Sequence, residues 1–432
     1  MTDLLTRRTL MTAAAVATGG LFAAPGLAAA PKKFSFPKGF RWGAATAAHQ
    51  VEGNNVNSDA WLLEHLPRSP FLQPSGDACD HYHLFEDDIA LVARLGLNTY
   101  RFSVEWARIE PSPGQFSMAE LRHYGRMLDC CKRHGLTTVV TLHHFTSPLW
   151  FAKHGGFENP EAPQALARYA AKVVEVLGDR IDWLCTINEA NGPAGSLPPA
   201  KLMAQAAAAA GSERFSYFQH AGTPEALQII RDCHVAMCRA IAAVRPGLQT
   251  GYTLALPDLQ DAPGESGFAE EVRQRTQAPF LELARNDAFV GVQTYTRDLY
   301  GSKGRLAAPR DKPLTQTYWE YYPQALGNTV RYAAQYARVP VFVTENGIAS
   351  ADDARRVSYI DEALVSLAAS IKSGIDVRGY LHWSLLDNFE WFFGYKPQFG
   401  LIAVDRSNQK RTVKPSALHL GQIARTNAIS SI

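Results

Sequence analysis

After its first thirty residues this 432-residue sequence has no stretch long and apolar enough to span a bilayer, which argues against a polytopic membrane protein. It also lacks an excess of one charge. Lys and Arg number 43 against 41 Asp and Glu, a net charge of +2 spread along the chain, so no basic face is available to follow a phosphate backbone and nucleic-acid binding is not expected. Cysteine pairs at zinc-site spacing are missing too: most of Cys79, Cys130, Cys131, Cys185, Cys233 and Cys238 read as buried free thiols, and no disulfide is predicted. Finally, no low-complexity linker divides residues 31–432. With 46% hydrophobic residues that length can bury one large core, and a single α/β barrel domain is the leading expectation.

Residues 1–30 stand apart from this domain. Thr6-Arg7-Arg8-Thr9-Leu10-Met11 precedes an Ala-, Val-, Leu- and Gly-rich stretch running to Leu27, then Ala28-Ala29-Ala30. The pattern resembles a twin-arginine export signal cut near Ala28 to Ala30. It predicts an exported protein, periplasmic or secreted, with no stable membrane association after cleavage. An uncleaved anchor is the alternative, but the stretch is weakly apolar and interrupted by glycine.

From Phe40 onward, short β-type runs alternate with amphipathic helical stretches. Eight runs are predicted as strands: Phe40–Ala48, Thr99–Trp106, Thr137–His144, Ile181–Glu189, Gln249–Leu256, Phe289–Tyr295, Val339–Asn346 and Val377–Leu386. Between the first two, Leu84, Phe85, Asp88, Ile89, Val92 and Leu95 recur at helical spacing before Gly96. Eight such units predict a closed (β/α)8 TIM barrel. Asn191–Ala221, with its Pro/Gly entry and the run Ala206 to Ala210, reads as an elaborated loop over the barrel mouth carrying a short helix. Asp298–Tyr322 is a second irregular stretch, whose Tyr300, Tyr318, Trp319, Tyr321 and Tyr322 either stack on sugar rings or pack the loop.

Polar and aromatic residues crowd the ends of these runs. Gln50 and Glu52 follow strand one, Arg101 and Glu105 lie on strand two, His143 and His144 end strand three, and Asn188-Glu189 ends strand four. Tyr295, Glu345-Asn346 and Trp383 end strands six, seven and eight. In a barrel these ends meet at one rim, where active sites are built. Two of the residues, Glu189 and Glu345, are carboxylates, and a carboxylate pair is the minimum equipment for cleaving a glycosidic bond. One must be protonated and the other ionised at the same pH. Arg101 and Tyr295 would favour the charged form of Glu345 and suit a nucleophile, whereas Glu189 would need a raised pKa to act as the acid.

The ordered motifs resemble family 1 glycoside hydrolases, the β-glucosidase family, over nearly all of residues 31–432. Phe36-Pro37-Lys38-Gly39-Phe40-Arg41-Trp42-Gly43-Ala44-Ala45-Thr46-Ala47, with Gln50-Val51-Glu52-Gly53, is similar to its N-terminal signature. Cys79-Asp80-His81-Tyr82-His83, Tyr100-Arg101-Phe102-Ser103, Thr344-Glu345-Asn346-Gly347, the run Trp383 to Trp391 and Gly394-Tyr395 match in order. The resemblance implies a retaining, exo-acting β-glycosidase that hydrolyses a terminal non-reducing β-linked sugar by double displacement, on a small β-glycoside or oligosaccharide, without metal or organic cofactor. It implies Glu345 as nucleophile, Glu189 as acid/base, and Arg101 and Tyr295 as groups that orient Glu345. Asn188 would hold the 2-hydroxyl. Gln50, His144, Glu390 and Trp391 would bind the other hydroxyls, and Trp383 would form part of the sugar platform.

Several positions depart from the family pattern. Ala190 replaces the proline after the acid/base glutamate, Gln293-Thr294-Tyr295 stands for Asn-Tyr-Tyr, and His143-His144-Phe145 for Tyr-His-Trp. Glu105 and Gln398 also differ from the commoner serine and arginine. The His143-His144-Phe145 tract is in addition similar to a galactolipid-remodelling plant branch. Both carboxylates are retained. A transglycosylase passing the sugar to a sugar, lipid or phenol is the second reading, and a non-catalytic carbohydrate-binding barrel the third. A metal site at His81, His83, His143 and His144 is not expected, because carboxylate partners are not spaced with them.

Overall fold

The computed structural model describes residues 33–309 and 311–430; the export-signal reading of residues 1–30 lies outside them. Eight parallel strands close into a barrel: β1 Arg41–Ala45, β2 Thr99–Ser103, β3 Thr137–His143, β4 Trp183–Ile187, β5 Gln249–Ala255, β6 Phe289–Gln293, β7 Val341–Asn346 and β8 Val377–Trp383. All eight predicted runs supply a barrel strand. Sequence order is spatial order around the barrel, and β8 pairs with β1 to close it. Among the described residues no helix is long and apolar enough to cross a membrane.

The helices form for legible reasons. His81–Arg94 buries Phe85, Ile89 and Val92, one stripe at helical spacing. Met118–Arg133 starts at Ser117, whose hydroxyl accepts from the Glu120 amide, and Pro224–Val244 starts at Thr223 with a proline at its first position. These stripes pack onto the outside of the strands. Inside the barrel, toward the N-terminal ends of the strands, Val139, Trp183, Cys185, Phe289, Phe342 and Leu381 form a separate apolar plug. The Trp183 ring meets Phe289 and Phe342 edge-on, and the Arg41 guanidinium lies 4.8 Å from its centroid. The closed lower end leaves the opposite rim as the place for a pocket.

Seven of the eight strands end earlier at the rim than the sequence suggests, while β7 ends at Asn346 as expected. Strand one stops at Ala45 and the chain turns into the helix Ala48–Val51. Strand two stops at Ser103, so Glu105 is not on the strand; it caps the helix Trp106–Ile109 by accepting from the Ala107 amide and also accepts from Thr146 Oγ1. Asn188 and Glu189 lie just past β4, and Glu189 has left the ladder with φ = 46°. Gln293 rather than Tyr295 is the last residue of β6. The short helix expected in the Asn191–Ala221 loop is Ala200–Ala210. The stretch expected to be irregular from Asp298 holds strands Arg297–Gly301 and Gly304–Arg305, which form a small sheet with Asp258–Asp261. The six cysteines are free thiols, five of them buried.

Candidate active site

All ten residues singled out in the sequence come together at the C-terminal rim. Gln50, His144, Glu189, Tyr295, Glu345, Trp383, Glu390 and Trp391 line one cavity of about 210 Å³, below the size of most drug-binding pockets (~300–1,000 Å³). Arg101 and Asn188 are buried and reach Glu345 and His144.

Glu345, on β7, is held from three directions. Its Oε1 accepts from Arg101 Nη1 at 2.5 Å and from Gln293 Nε2 at 2.8 Å, and its Oε2 accepts from the Tyr295 hydroxyl. Burial pushes its pKa up, while the Arg101 charge and these donors pull it back. Glu189 lacks such a cage. Burial first and the charge of Glu345 second push its carboxyl up to about 8, against an opposing pull from Arg101. The proton shared between the two carboxyls therefore resides on Glu189, which is the division of labour an acetal requires.

The backbone around Glu189 is fixed by one residue of β5. Its amide donates to Thr253 Oγ1 at 3.0 Å, and the Ala190 amide donates to the Thr253 carbonyl at 3.0 Å. A proline at position 190 has no N–H and could not make the second bond, so the departure at Ala190 has a local structural consequence. Thr253 Oγ1 in turn donates to Asn188 Oδ1 at 3.0 Å, an oxygen that also accepts from Arg101 Nη2 at 2.5 Å and Gln293 Nε2 at 2.8 Å. With three donors on its oxygen, Asn188 turns Nδ2 toward His144 Nε2, 3.2 Å away. Burial and the Arg101 charge hold the His144 pKa well below its usual value, so the ring is neutral. Accepting at Nε2 assigns its proton to Nδ1.

The floor and walls follow from β8 and the chain after it. Trp383 stacks near His144, with ring centroids 5.8 Å apart, and donates from Nε1 to Glu390 Oε1 at 3.3 Å. Gln50 donates to the Phe389 carbonyl at 2.7 Å, leaving Oε1 without a partner among the described residues. Trp391 stacks on His49 at 5.5 Å and meets Phe145 edge-on at 5.2 Å. Three lining residues, Phe145, Glu189 and Trp391, hold left-handed backbones at φ = 71°, 46° and 51°. Each such conformation costs ~1–3 kcal/mol, and such costs cluster where side chains must be aimed. Gly347 is also dictated locally, since a Cβ there would lie 2.0 Å from the Trp383 carbonyl oxygen.

Sequence reasoning did not select Gln293, Thr253 or Gln219 as site residues. Gln293 was visible as a departure from the family pattern, but its contact with Glu345 depends on strand register; Gln219 lines the cavity from the long loop after β4. The aromatic stretch divides between its two readings. Trp319 lines the cavity beside Tyr295, whereas Tyr321 packs against Tyr359 and Tyr322 carries the Arg297 guanidinium.

The histidines considered as metal ligands are dispersed into separate hydrogen bonds: His81 to Asp88, His83 to Asp80, His143 to Ser147 and His144 to Asn188. Among the described residues His234, Cys238 and Asp287 do converge. Cys238 Sγ sits 3.7 and 3.8 Å from the two ring nitrogens, while Nδ1 also pairs with Thr186 and Nε2 with Asp287. The three side chains hydrogen-bond to one another and to Thr186 as a packed cluster away from the rim cavity.

A (β/α)8 barrel that opposes a caged carboxylate to a high-pKa carboxyl in one small rim cavity has the equipment of a glycosidase. The glycosyl hydrolase family 1 model matches residues 32–198 and 284–429. The chain is 30% identical to β-glucosidase A of Thermotoga maritima over 90% of this chain and 98% of that one. It is 31% identical to thermostable β-glucosidase B of Thermobispora bispora over 90% and 91%. The crystal structure of β-glycosidase BGL167 superimposes with a TM-score of 0.88 at 50% identity, covering 92% of this chain and 99% of that one. The chain belongs to glycosyl hydrolase family 1 and is a glycoside hydrolase. The segment outside the family match, 199–283, contains the helix Ala200–Ala210, Gln219 and all of β5 with Thr253.

Proposed function

We propose that the protein is a retaining, exo-acting β-glycosidase of the β-glucosidase type, hydrolysing a terminal non-reducing β-linked sugar by double displacement. The observation that carries this reading is the opposed environment of Glu189 and Glu345 in one cavity. The ionised Glu345 attacks the anomeric carbon as Glu189 gives its proton to the leaving oxygen; the glycosidic C–O bond breaks and a glycosyl ester forms on Glu345. Glu189, now a carboxylate, takes a proton from water, whose oxygen attacks the same carbon and releases the sugar with net retention. Two carboxyl groups and water account for every proton and electron pair, so the cycle calls for no metal or organic cofactor.

In this reading Asn188, Gln50, His144, Glu390 and Trp391 bind the sugar hydroxyls, Trp383 supports the ring, and Arg101 and Tyr295 orient Glu345. Kinship with proteins named β-glucosidases supports glucose as the sugar. Cleavage of aryl β-glucoside, galactoside, fucoside, mannoside and xyloside by the folded protein tests it: the glucoside is expected to be cleaved, and failure on all five would refute the hydrolase. Capture of the glycosyl ester by a sugar, lipid or phenol shares the first half-reaction, and the apolar lining by Phe392, Phe393 and Phe399 favours such acceptors as the second reading. Free sugar as the dominant product with added acceptors would exclude it. The twin-arginine-like segment supports export of a mature domain spanning residues 31–432 to the periplasm or medium. Replacing Arg7 and Arg8 by lysine is expected to retain the protein in the cytoplasm, and unchanged export would contradict that assignment.

A further inference from the structure

Strand register places Gln293, the last residue of β6, beside Glu345 on β7 and Ala255 on β5. The residue is 1% exposed. Its Nε2 carries two hydrogens, and both are used: one bond goes to Glu345 Oε1 and one to Asn188 Oδ1, each 2.8 Å long. The same two oxygens are linked a second time by Arg101, through Nη1 and Nη2, each at 2.5 Å. One charged and one neutral side chain thus bridge a single pair of acceptors. The amide direction is not free, because a reversed Gln293 would turn its carbonyl onto a carboxylate and an amide oxygen.

We propose that Gln293 is a positioning residue, a neutral second bridge that couples the basicity of Glu345 to the orientation of the Asn188 amide facing the substrate. The assignment rests on the reading of Glu345 as nucleophile and of Asn188 as the partner of the sugar 2-hydroxyl. Arg101 supplies the charge that favours ionised Glu345. Gln293 supplies direction, since it fixes Glu345 Oε1 and supplies one of the three donors that hold Asn188 Oδ1. Without it Glu345 keeps its ion pair but gains proton affinity, and Asn188 keeps Arg101 and Thr253 but is less firmly set. Asparagine is about 1.5 Å shorter and from the same backbone does not span both acceptors. The departure from the family's Asn-Tyr-Tyr therefore gives this chain a bridge that the shorter side chain would not make here.

The test uses Gln293→Met, which keeps length and loses the donor, and Gln293→Glu, which keeps shape and adds a like charge beside Glu345. Both are assayed on the aryl glycoside that the wild type cleaves fastest and on its 2-deoxy counterpart. A hydrogen bond to a charged acceptor is worth ~10- to 100-fold in rate. Gln293→Met should lose that much kcat/KM on the parent glycoside and clearly less on the 2-deoxy glycoside, with the acid limb of its pH profile moved to higher pH. Gln293→Glu should move the acid limb further in the same direction. Equal losses on both substrates with an unmoved acid limb would reduce Gln293 to a packing residue and overturn the proposal. Gln293→Glu alone decides the matter if the methionine variant does not fold. Trapping the wild type with a 2-deoxy-2-fluoro glycoside keeps the two claims separate: no adduct on Glu345 refutes the nucleophile reading, whereas an adduct with unaltered variant behaviour refutes only the role of Gln293.

Discussion

Arg101 and Glu345 pair across the barrel mouth at 2.5 Å, from strands that are not neighbours, with the guanidinium side chain fully buried. Strands β1 and β8 lie between theirs, so the pair spans the opening. Removing one partner of such a pair leaves an uncompensated buried charge, at a cost of ~3–5 kcal/mol. The arrangement is therefore a demanding one to keep. It is matched to its purpose by the other contacts of the same guanidinium, to Thr141 Oγ1 and to Asn188. One cation thereby sets Glu345, the proposed nucleophile, and the adjacent Asn188 amide together.

The first prediction concerns Glu189. Glu189→Ala should lower kcat/KM by ~10²–10⁴ on glycosides with poor leaving groups and far less on an activated dinitrophenyl glycoside. Azide should restore part of the turnover and give the β-glycosyl azide. A uniform loss across leaving groups would mean that Glu189 is not the proton donor.

The second follows from the raised pKa of the same residue. Activity should fall on the alkaline side as Glu189 loses its proton near pH 8, and on the acid side as Glu345 is protonated above the ordinary carboxylate range. The stability linkage has a definite sign. A carboxyl whose pKa is raised by folding binds more protons in the native state, so its contribution declines as pH rises from the ordinary 4.5 to about 8. Glu189→Gln, which cannot ionise, should accordingly unfold at increasingly higher temperature than wild type across that window. A pH-independent difference would argue against the shift.

The third addresses the phenol on Glu345. Tyr295→Phe removes the donor to Glu345 Oε2 and should reduce kcat about 10- to 100-fold while moving the acid limb upward. Measured pH profiles that stay superimposable would show that the hydroxyl does not tune Glu345.

Much of this is legible in the amino-acid sequence. The eight strands were visible because fully buried parallel strands read as short apolar runs, and the interleaved helices carry their own caps and stripes. Glu189, Glu345, Arg101 and Tyr295 are legible because charged and hydrogen-bonding groups at the end of an apolar run are costly unless used. What stayed hidden depends on register and on chain direction beyond the strands. Glu105 looked like a strand residue, yet the ladder ends at Ser103 and its carboxylate turns to cap a helix. Thr253 is an ordinary strand residue in sequence and Gln293 stands out only as a departure from the family pattern; the pairing of β5, β6 and β7 is what brings them to Asn188 and Glu345.

The fourth prediction tests that hidden layer. Thr253→Val keeps the shape but leaves the Glu189 amide without its acceptor and removes a donor from Asn188. Unfolding should be easier by ~1–3 kcal/mol, with an accompanying loss of kcat/KM. Unchanged stability and rate would show that Thr253 does not hold the acid/base segment.

The assignment of Glu345 as nucleophile supports every other role given to the site. Incubation with a 2-deoxy-2-fluoro β-glycoside bearing a good leaving group, followed by peptide mapping, should show one sugar per chain bound to the peptide containing Thr344-Glu345-Asn346-Gly347. An adduct on Glu189, Glu390 or any other residue would contradict the account.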